Sequence, residues 1–556
     1  MNKNLGDIIR DILVACQESL KSEFPAIKAI PVELEMPKDK NNGDLSTNLA
    51  FKLSRQLGGN PQEIAKILIE NLKSLAEEKG VSELLDNIEI KSAGFINFWF
   101  SKKYLYGVLE EIEKNKEDYG RINVGKGKKI HIEFVSANPT GPLTIAHGRQ
   151  AAVGDSLANI LKAVNYKVQK EYYINDEGTQ IEILGRSIMA RYMEALGMKG
   201  DFPDNGYKGR YIYDIAKEIQ EKYGDKNKDA DLNYFIEFGV KVIMKTIEDD
   251  LEDFNVKFDV WYSQKSLTQK DMIKKVLETL KKDGYLYDKD GALWFSSQNL
   301  GDDKDRVVIK SNGSYTYLAP DIAYHDDKFK RGFEKLINIW GPDHHGYIPR
   351  LKAAVKALGY NPDDVSIVII QLATLYRGNE VVPMSTREGQ FVTLREVINE
   401  VGRDAGRFFF LMRKTDSHLD FDLELAKKTS LDNPVYYIQY AHARIANILD
   451  FAKDKYPNYN TTADPALLNT EEEIDILKHI RKLPYVLAAA AESLEPYFVV
   501  LYVQNLAALF HRFYTKHRVV TDDEPLSRAR LELAYGVKTV LARCLSLLGV
   551  SAPTNM

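Results

Sequence analysis

The sequence predicts a multidomain α/β protein, in which an N-terminal α+β domain and a C-terminal α-helical bundle flank a doubly wound α/β domain. With 556 residues, the chain is too long for a single hydrophobic core. Strand-like and helix-like patterns alternate from about 126 to 400, as they do in a doubly wound sheet. From 401 to 556 the pattern is rich in Leu and Ala and helical, which is typical of a bundle.

Composition narrows the class of protein. The chain is 44% hydrophobic and 28% charged with a net charge of -5, so a nucleic-acid partner would have to meet a local basic surface. Cys16 and Cys544 lie far apart without a CxxC motif, which argues against a disulfide framework or a zinc site. Because no apolar run reaches about 18 residues and no signal peptide is evident, we expect a cytoplasmic protein without membrane spans.

The first domain, residues 1–120, alternates helical and β-like patterns. The helical patterns are Leu5–Lys21 and Pro61–Glu78, and the β-like runs are Ile30–Leu34 and Ile88–Trp99. A polar turn between them leads into a helix, for which Asp44 or Ser46 is a plausible N-cap. The charged, glycine-bearing segment 113–129 is typical of a linker.

The second domain, 126–400, begins with a β-rich run at Ile130–Val135, a loop with Pro139 and Pro142, and a helix from about His147. A second β-rich run follows at Val168–Ile174. Strand, loop, helix and strand form the opening unit of a nucleotide-binding sheet, in which the helix N-terminus holds anions. This places His147, Gly148 and Arg149 near phosphates. The charged, helical segment of about 180–285 is predicted to be an insertion, after which the sheet resumes at Ala292–Phe295, Tyr315–Leu318, Leu336–Trp340 and Val365–Gln371.

Two clusters contain carboxylates suited to a cation. Glu133 ends a predicted buried strand, where an acid costs several kcal/mol unless it meets a positive charge. That charge is either a structural partner or a cationic ligand at the carboxyl edge of the sheet. Tyr317 and Asp321 would suit a guanidinium, which stacks on a ring and pairs with a carboxylate. The alternative is a core tyrosine and a helix-capping aspartate.

Two further clusters are rich in polar side chains. Asp343 and His344 open a DHHG segment after a strand; adjacent histidines suit one metal ion poorly, so we expect no metal and favour contacts to a nucleotide or an amino acid. RGNEVVPMSTREGQFVTLREVI, residues 377–398, resembles loops that cover phosphates with hydroxyls, amides and a basic side chain. Many ordinary surface loops have the same composition.

Together these blocks resemble the arginyl-tRNA synthetases, a class I family, over essentially the whole chain. EFVSANPTGPLTIAHGRQAAVGDSL resembles the family's form of the HIGH signature. EYYINDEGTQI, WGPDHHGYIPRLKAAV and MSTREGQFVTLREVINEVGRDAGRFFF are similar to later blocks. HLDFDLELA with NPVYYIQYAHARI resembles the entry to the anticodon-binding helices, and GDLSTNLAFKL with KSAGFINFWF resembles the N-terminal tRNA-elbow domain. Six blocks in the right order are far more specific than any one of them.

The resemblance implies a class I synthetase-type Rossmann catalytic domain that uses ATP with Mg2+, L-arginine and tRNA(Arg). Arginine would attack the α-phosphate of ATP, and the arginyl group would then pass to the terminal adenosine of the tRNA. By family match, Glu133 and Asp321 hold the guanidinium and Tyr317 stacks on it. Ser136 and Asn138 orient the amino and carboxylate groups of arginine. The family also implies a monomer and no tightly bound metal.

Both family signatures are degenerate here. The HIGH stretch is Thr144-Ile145-Ala146-His147, without the first histidine, and the KMSKS stretch is Pro383-Met384-Ser385-Thr386-Arg387, without lysine. Pro320 stands where a basic residue is expected. The resemblance implies an active enzyme with altered donor geometry, to which Arg149, Arg377 or Arg387 supplies charge. Its implied catalytic residues are Thr144, His147, Ser385 and Arg387, and its implied ATP-binding residues are His147, Gly148, Asp343, His344, Met384, Ser385 and Thr386.

The expected RNA surfaces carry aromatic and basic side chains. Tyr436, Tyr440 and Arg444 follow one helix face at i, i+4 and i+8, which suits stacking on bases and contact with phosphate. The alternative is an aromatic stripe in the bundle core. Phe95 and Asn97 are candidates for contact with the tRNA elbow by family match.

Two alternatives stay open from the sequence alone. One is a class I synthetase for lysine or cysteine, against which the set of Glu133, Tyr317 and Asp321 and the lack of zinc-type cysteines argue. The other is a catalytically impaired tRNA-binding relative, which the degenerate signatures suggest.

Overall fold

The computed structural model describes residues 5–23, 28–37, 39–92, 94–378, 380–382, 392–456 and 463–556. The first 115 residues contain a small antiparallel sheet of order β1-β3-β2 covered by helices. Its strands are β1 Leu45–Thr47, β2 Leu85–Lys91 and β3 Phe95–Phe100, and its helices are α1 Leu5–Glu23, α2 Leu49–Leu57, α3 Pro61–Glu78 and α4 Lys102–Asn115.

Two expectations for this region are wrong. Within the described residues 28–37, Ile30–Leu34 forms no strand; the segment makes a single bridge from Glu35 to Ser46. Asn48 precedes α2, and the predicted cap Asp44 instead accepts a hydrogen bond from the Phe100 amide at 2.9 Å. The polar turn contains β1, so its side chains serve the sheet rather than the helix.

The central sheet has five parallel strands in the order β11-β10-β4-β5-β6. The strands are β4 Lys129–Glu133, β5 Lys167–Ile174, β6 Val260–Ser263, β10 Lys335–Trp340 and β11 Val365–Ile369. The helices are α5 Ile145–Ala163, α6 Thr179–Ala195, α7 Arg210–Tyr223, α8 Leu232–Asp253, α9 Lys265–Gln269, α10 Met272–Lys282, α11 Leu318–Lys330 and α12 Ile348–Ala357. Apolar side chains of β4 and of α5 are buried together, so α5 packs directly on the sheet.

Three predictions for the doubly wound region need correction. β6 lies inside the segment predicted as a helical insertion, yet it pairs with β5 and forms the edge of the main sheet. Ala292–Phe295 is a strand, β8, but it belongs to a separate antiparallel sheet with β7 Leu286–Lys289 and β9 Arg306–Ile309. Tyr315–Leu318 lies within the described residues and is not a strand, because α11 begins at Leu318 and accommodates Pro320 in its first turn.

A third small sheet joins the catalytic and helical regions. Its strands are β12 Ala373–Arg377, β13 Glu380–Val381 and β14 Leu419–Asp422, in the order β13-β12-β14. β14 lies within the segment predicted to be helical from 401, and it pairs parallel with β12. The remaining helices are α13 Leu394–Val401, α14 Arg403–Leu411, α15 Leu423–Lys427, α16 Pro434–Lys455, α17 Glu471–Arg481, α18 Leu483–Ser493, α19 Tyr497–Lys516 and α20 Glu524–Leu547.

A buried arginine joins the end of the chain to the central sheet. Arg407 on α14 donates to the carbonyl oxygen of Leu548 at 2.9 Å and to the carboxylate of Asp155, on α5, at 2.7 Å. Asp155 also accepts from Lys170 on β5 at 2.9 Å. A buried charge with this many partners is expensive to disturb, so the junction is rigid. Among the described residues, every helix is too short or too polar to cross a membrane.

Candidate active site

A cleft of about 730 Å³ opens at the carboxyl ends of the parallel strands, beside the N-termini of α5 and α11. In a doubly wound sheet this is the edge where ligands bind. Many side chains singled out in the sequence line this one cleft: Glu133, Ser136, Asn138, His147, Tyr317, Asp321, Asp343 and His344.

The chain turns sharply after β4 to bring polar groups into the cleft. Val135 and Ser136 have φ values of 67° and 40°, and a β-branched residue in this left-handed region costs about 1–3 kcal/mol. The Ser136 hydroxyl donates to Glu133 Oε1 at 3.1 Å and accepts from the Tyr173 amide at 3.1 Å. These two hydrogen bonds hold the strained turn. Two residues further along the chain, Asn138 donates to the Gln180 side chain at 2.7 Å.

Glu133 has a resident cation. Lys328 on α11 is fully buried, and its Nζ lies 2.7 Å from Glu133 Oε2 and 3.1 Å from Asn338 Oδ1. The structural ion pair that the sequence left open therefore exists. The Glu133 carboxylate also lines the cleft, so the pair leaves it in reach of a ligand.

Asp321 is a second carboxylate in the cleft, in the first turn of α11. Tyr347 donates to its Oδ2 at 2.5 Å. Burial raises the pKa of Asp321 to about 6, because the loss of water outweighs the stabilisation by the Tyr347 hydroxyl and by the charges of Lys328 and Arg350, and the negative charge of Glu133 raises it further. An opposite charge arriving in the cleft would relieve this cost.

Tyr317 lies at the mouth of the same cleft. Its side chain is exposed, at 70% for the residue, so the alternative of a core tyrosine is wrong. It precedes the first residue of α11, one helical turn before Asp321. The ring and the carboxylate therefore border the cleft together, as the pattern Tyr-x-x-x-Asp predicts.

His147 and Thr144 form the first turn of α5. The Thr144 amide donates to His147 Nδ1 at 3.1 Å, so Nδ1 is an acceptor and the ring proton is on Nε2. Burial lowers the pKa of His147 to about 4, and the imidazole is neutral at pH 7. His147 can therefore offer one neutral N–H to the cleft, while Thr144 caps the helix that carries it.

Two neighbours of His147 are turned toward the protein interior. A Cβ on Gly148 would lie 2.9 Å from Leu394 Cδ1, which shows how closely α13 packs there. Arg149 is buried and donates to the carbonyl oxygens of Gln371 and Lys414 at 2.6 and 2.9 Å. The expectation that Arg149 lies near phosphates is wrong, because its guanidinium is used to hold the backbone at Gln371 and Lys414.

Arg377 and Arg387 are the other two candidates for the positive charge that the family signatures lack here. Arg377 pairs with Glu400 at 2.6 Å and with Glu424 at 3.5 Å, on the exposed face of β12. Pro383, Met384, Ser385, Thr386 and Arg387 lie outside the described residues. Arg350, which the sequence reading missed, lines the cleft and stacks 4.7 Å from the centre of the Tyr347 ring.

The DHHG segment forms a short helical turn, Pro342–Tyr347, directly after β10. Asp343 and His344 both line the cleft, and the His344 ring lies 5.9 Å from that of Trp340. In the part of the chain that the structure describes, no group of three or more His, Cys, Asp or Glu side chains is placed to hold a metal ion.

The predicted RNA-contacting residues differ in burial: Tyr436, Tyr440 and Arg444 are half-buried, Phe95 is exposed and Asn97 is buried. Tyr436 and Tyr440 stack on α16 with ring centres 6.0 Å apart, and Arg444 lies 4.5 Å from the Tyr440 ring. In the N-terminal sheet Phe95 is 38% exposed, whereas Asn97 is 2% exposed and accepts from Ser46 at 2.9 Å. Asn97 thus supports the sheet, and the expectation that it contacts RNA is not supported by its burial.

Comparison with known families accounts for all of these regions. The chain matches the arginyl tRNA synthetase N terminal domain over residues 3–100, the class I (R) tRNA synthetase catalytic domain over 108–439 and the DALR anticodon binding domain over 438–556. The chain belongs to the arginyl-tRNA synthetases. The cleft lies wholly within the range of the catalytic-domain model.

Individual arginyl-tRNA synthetases are similar along their whole length. The chain is 47% identical to the arginine–tRNA ligase of Syntrophotalea carbinolica, with 100% of both chains covered, and 48% identical to arginine–tRNA ligase 1 of Halalkalibacterium halodurans, with 94% of each covered. The structure of the Thermus thermophilus arginyl-tRNA synthetase covers 99% of this chain and 100% of its own with a TM-score of 0.78; at 20% identity it shows a shared fold. The alternative of a lysine or cysteine enzyme is wrong, because the matched N-terminal and catalytic models are those of the arginyl family.

Proposed function

We propose that the cleft binds L-arginine with its guanidinium between Glu133 and Asp321, in the arginine–tRNA ligase reaction of the family. The single observation that carries this assignment is the meeting of two carboxylates and the exposed ring of Tyr317 in one cleft. A guanidinium offers a planar fork of donors to carboxylates and a flat face to a ring, which an ammonium does not. An uncharged amino acid would displace water from the two acids without supplying a positive charge or a fork of donors in return.

The reaction requires positioning more than covalent participation by the protein. The carboxylate oxygen of arginine attacks the α-phosphorus of ATP, pyrophosphate leaves, and a hydroxyl of the terminal adenosine of tRNA(Arg) then displaces AMP from the arginyl-adenylate. Ser136 and Asn138 orient the amino and carboxylate groups of arginine. Preorganised groups of this kind lower the barrier because they need no rearrangement during the reaction.

His147 is the donor that the structure supports best for a phosphate oxygen of ATP, through Nε2–H. Asp343 and His344 are proposed to contact the nucleotide, whereas Gly148 packs against α13 and is left out of the proposed contacts. The proposed catalytic and ATP-binding residues also include those of the two signature stretches: Thr144, Met384, Ser385, Thr386 and Arg387. Mg2+ would accompany the phosphates of ATP as a substrate ion.

The tRNA is proposed to lie across both outer domains. Tyr436, Tyr440 and Arg444 present stacked rings and a cation on α16, within the range matched by the catalytic and anticodon-binding models. Phe95 is the proposed elbow contact. The division into domains at 1–120, 126–400 and 401–556, a monomeric state and a cytoplasmic location are part of the same proposal.

Replacement of Tyr317 tests the arginine site. We expect Tyr317→Leu to weaken arginine binding about two- to fivefold, because a cation–ring contact at an exposed ring contributes about 0.5–1 kcal/mol. Tyr315→Leu is the matched control, since Tyr315 is also exposed, at 39%, but is not among the residues lining the cleft. Calorimetric titration of the full chain with arginine measures both. Equal affinities in the two variants would refute the assignment of Tyr317.

Aminoacylation separates an active enzyme from an impaired tRNA-binding relative. Wild-type protein, ATP and tRNA(Arg) should yield arginyl-tRNA, and lysine or citrulline in place of arginine should yield no product. If the protein binds tRNA(Arg) but forms no arginyl-tRNA, the proposed ligase activity is wrong and the impaired relative is the correct interpretation.

A further inference from the structure

Three side chains on α11 share the face of the helix that borders the cleft. Asp321, His325 and Lys328 follow one another at i, i+4 and i+7, so they lie above one another along the helix. His325 Nε2 lies 3.0 Å from Asn338 Nδ2, and Lys328 donates to Asn338 Oδ1 at 3.1 Å. This face of α11 therefore carries the Asp321 carboxylate in the cleft and the Lys328 ammonium two helical turns further along.

Lys328 is held firmly where solvent does not reach. Its Nζ lies 2.7 Å from Glu133 Oε2 and 4.1 Å from the centre of the Tyr324 ring. Tyr324 is itself fixed by its hydroxyl, which donates to Glu171 at 2.7 Å. Because a lysine loses much hydration on burial, such a position is rare unless the charge has a partner.

The place of Lys328 matters because two acids line the cleft. Glu133 and Asp321 repel each other when both are charged, and burial strengthens that repulsion. Lys328 contacts one of the two acids directly and lies on the same helix face as the other. It also occupies Oε2 of Glu133, and thereby fixes the orientation of the carboxylate and of Oε1, to which Ser136 donates.

We propose that Lys328 is a positioning residue of the arginine site, which holds Glu133 by Oε2 and offsets the repulsion between the two carboxylates so that both remain charged for a guanidinium. The inference rests on the proposed function, since it assumes that Glu133 and Asp321 receive arginine. Without Lys328, a proton would replace its charge at Asp321, and a protonated acid pairs poorly with a guanidinium.

The surroundings of Asp321 decide which group responds to pH. The charged and titratable groups whose influence on Asp321 or Glu133 the structure shows are Lys328, Arg350, Tyr347, Tyr324, Tyr173 and His131, with His325 next to them on α11. Burial holds the pKa of His131 near 4 and that of His325 well below 6.5, so both rings are neutral at pH 7. Asp321, with a pKa of about 6, is the member of the group that titrates near neutrality.

The test compares two buried lysines. Lys328→Met removes the charge beside the cleft, and Lys170→Met removes a charge of similar burial from the Asp155 junction, which is not among the residues lining the cleft. Calorimetric titration of the full chain with arginine from pH 5.5 to 8.5 gives the pH at which affinity begins to fall. In the wild type this pH should be about 6. In Lys328→Met it should rise by about one unit, which makes binding about threefold weaker than in the wild type at pH 6.5 and close to tenfold weaker at pH 5.5.

Each outcome decides the proposal. Lys170→Met should lower thermal stability but keep the wild-type pH profile of arginine binding. If Lys328→Met also keeps that profile, Lys328 is structural only and the proposal is overturned. Should Lys328→Met not fold, Lys328→Arg retains the charge in a different shape: we expect a wild-type pH midpoint with weaker binding at every pH, and unchanged affinity would overturn the positioning role. Failure of the proposed function itself appears differently, as no measurable binding of arginine to the wild type at any pH.

Discussion

Asp321→Asn should make the protein more stable while it removes arginine binding. Burial raises the pKa of Asp321 from 3.8 to about 6. At about 1.4 kcal/mol per pKa unit, the charged form therefore lowers the free energy of unfolding by about 3 kcal/mol above pH 6. Below about pH 3.8 the acid is protonated in both folded and unfolded states, and the cost is absent. The folded state thus loses stability as pH rises from about 4 to about 6.

Asparagine keeps the shape and can accept the Tyr347 hydrogen bond, but it has no charge to desolvate. Urea unfolding followed by tryptophan fluorescence should show the variant more stable than the wild type by up to about 3 kcal/mol at pH 7.5, and by about half as much at pH 5. Arginine at a hundred times its Kd should stabilise the wild type by about 2.7 kcal/mol and leave the variant unchanged. A variant no more stable than the wild type at pH 7.5 would show that Asp321 is well solvated, and would refute the reasoning.

Three further changes probe other parts of the molecule. Gly154→Ala should lower the free energy of unfolding by about 1–3 kcal/mol, because its Cβ would lie 2.3 Å from Phe134 Cγ. The control is Gly59→Ala, which should be tolerated because its Cβ would meet its nearest atom at 3.6 Å. Thermal denaturation compares the two variants. Thr144→His should not raise kcat, because it removes the hydroxyl that lies 3.2 Å from His147 Nδ1 and helps to orient that ring; a large gain in steady-state aminoacylation would contradict this. Arg444→Met should raise the KM for tRNA(Arg) about tenfold and leave arginine affinity unchanged, and a shift in arginine affinity instead would show a structural defect.

The sequence predicts the strands that carry the site better than it predicts their neighbours. Apolar runs identify β10 and β11, because buried parallel strands need hydrophobic surface on both faces, and β-branched and aromatic residues identify β4 and β5. A strand pattern does not name its partner, however. Ala292–Phe295 therefore appears to continue the main sheet although it pairs with β7 and β9, and the short strand β14 is hidden in a helical region.

Residues that meet a ligand are easier to find in the sequence than residues that support them. Glu133, Tyr317 and Asp321 stand out because an acid at a strand end and an aromatic four residues before an acid are unusual patterns. Lys328 lies in the run HDDKFKRG, which is typical of a solvated helix face, and only the packing of α11 on β4 and β10 shows it to be buried. Its spacing of seven residues from Asp321 is the signal that could have identified it.

The junction at Arg407 gives α5 two attachments that serve different ends of the enzyme. With 19 residues, α5 is a rod about 28 Å long. Its first turn carries His147 in the cleft. Further along the helix, Asp155 accepts from Arg407 and Ser156 donates to the Leu548 carbonyl at 3.3 Å. A displacement of the helical bundle must therefore tilt α5 or break these buried hydrogen bonds. Rotation of α5 by even a few degrees about the junction would move His147 relative to the proposed ATP site, so we expect the rate of adenylate formation to depend on the position of the bundle.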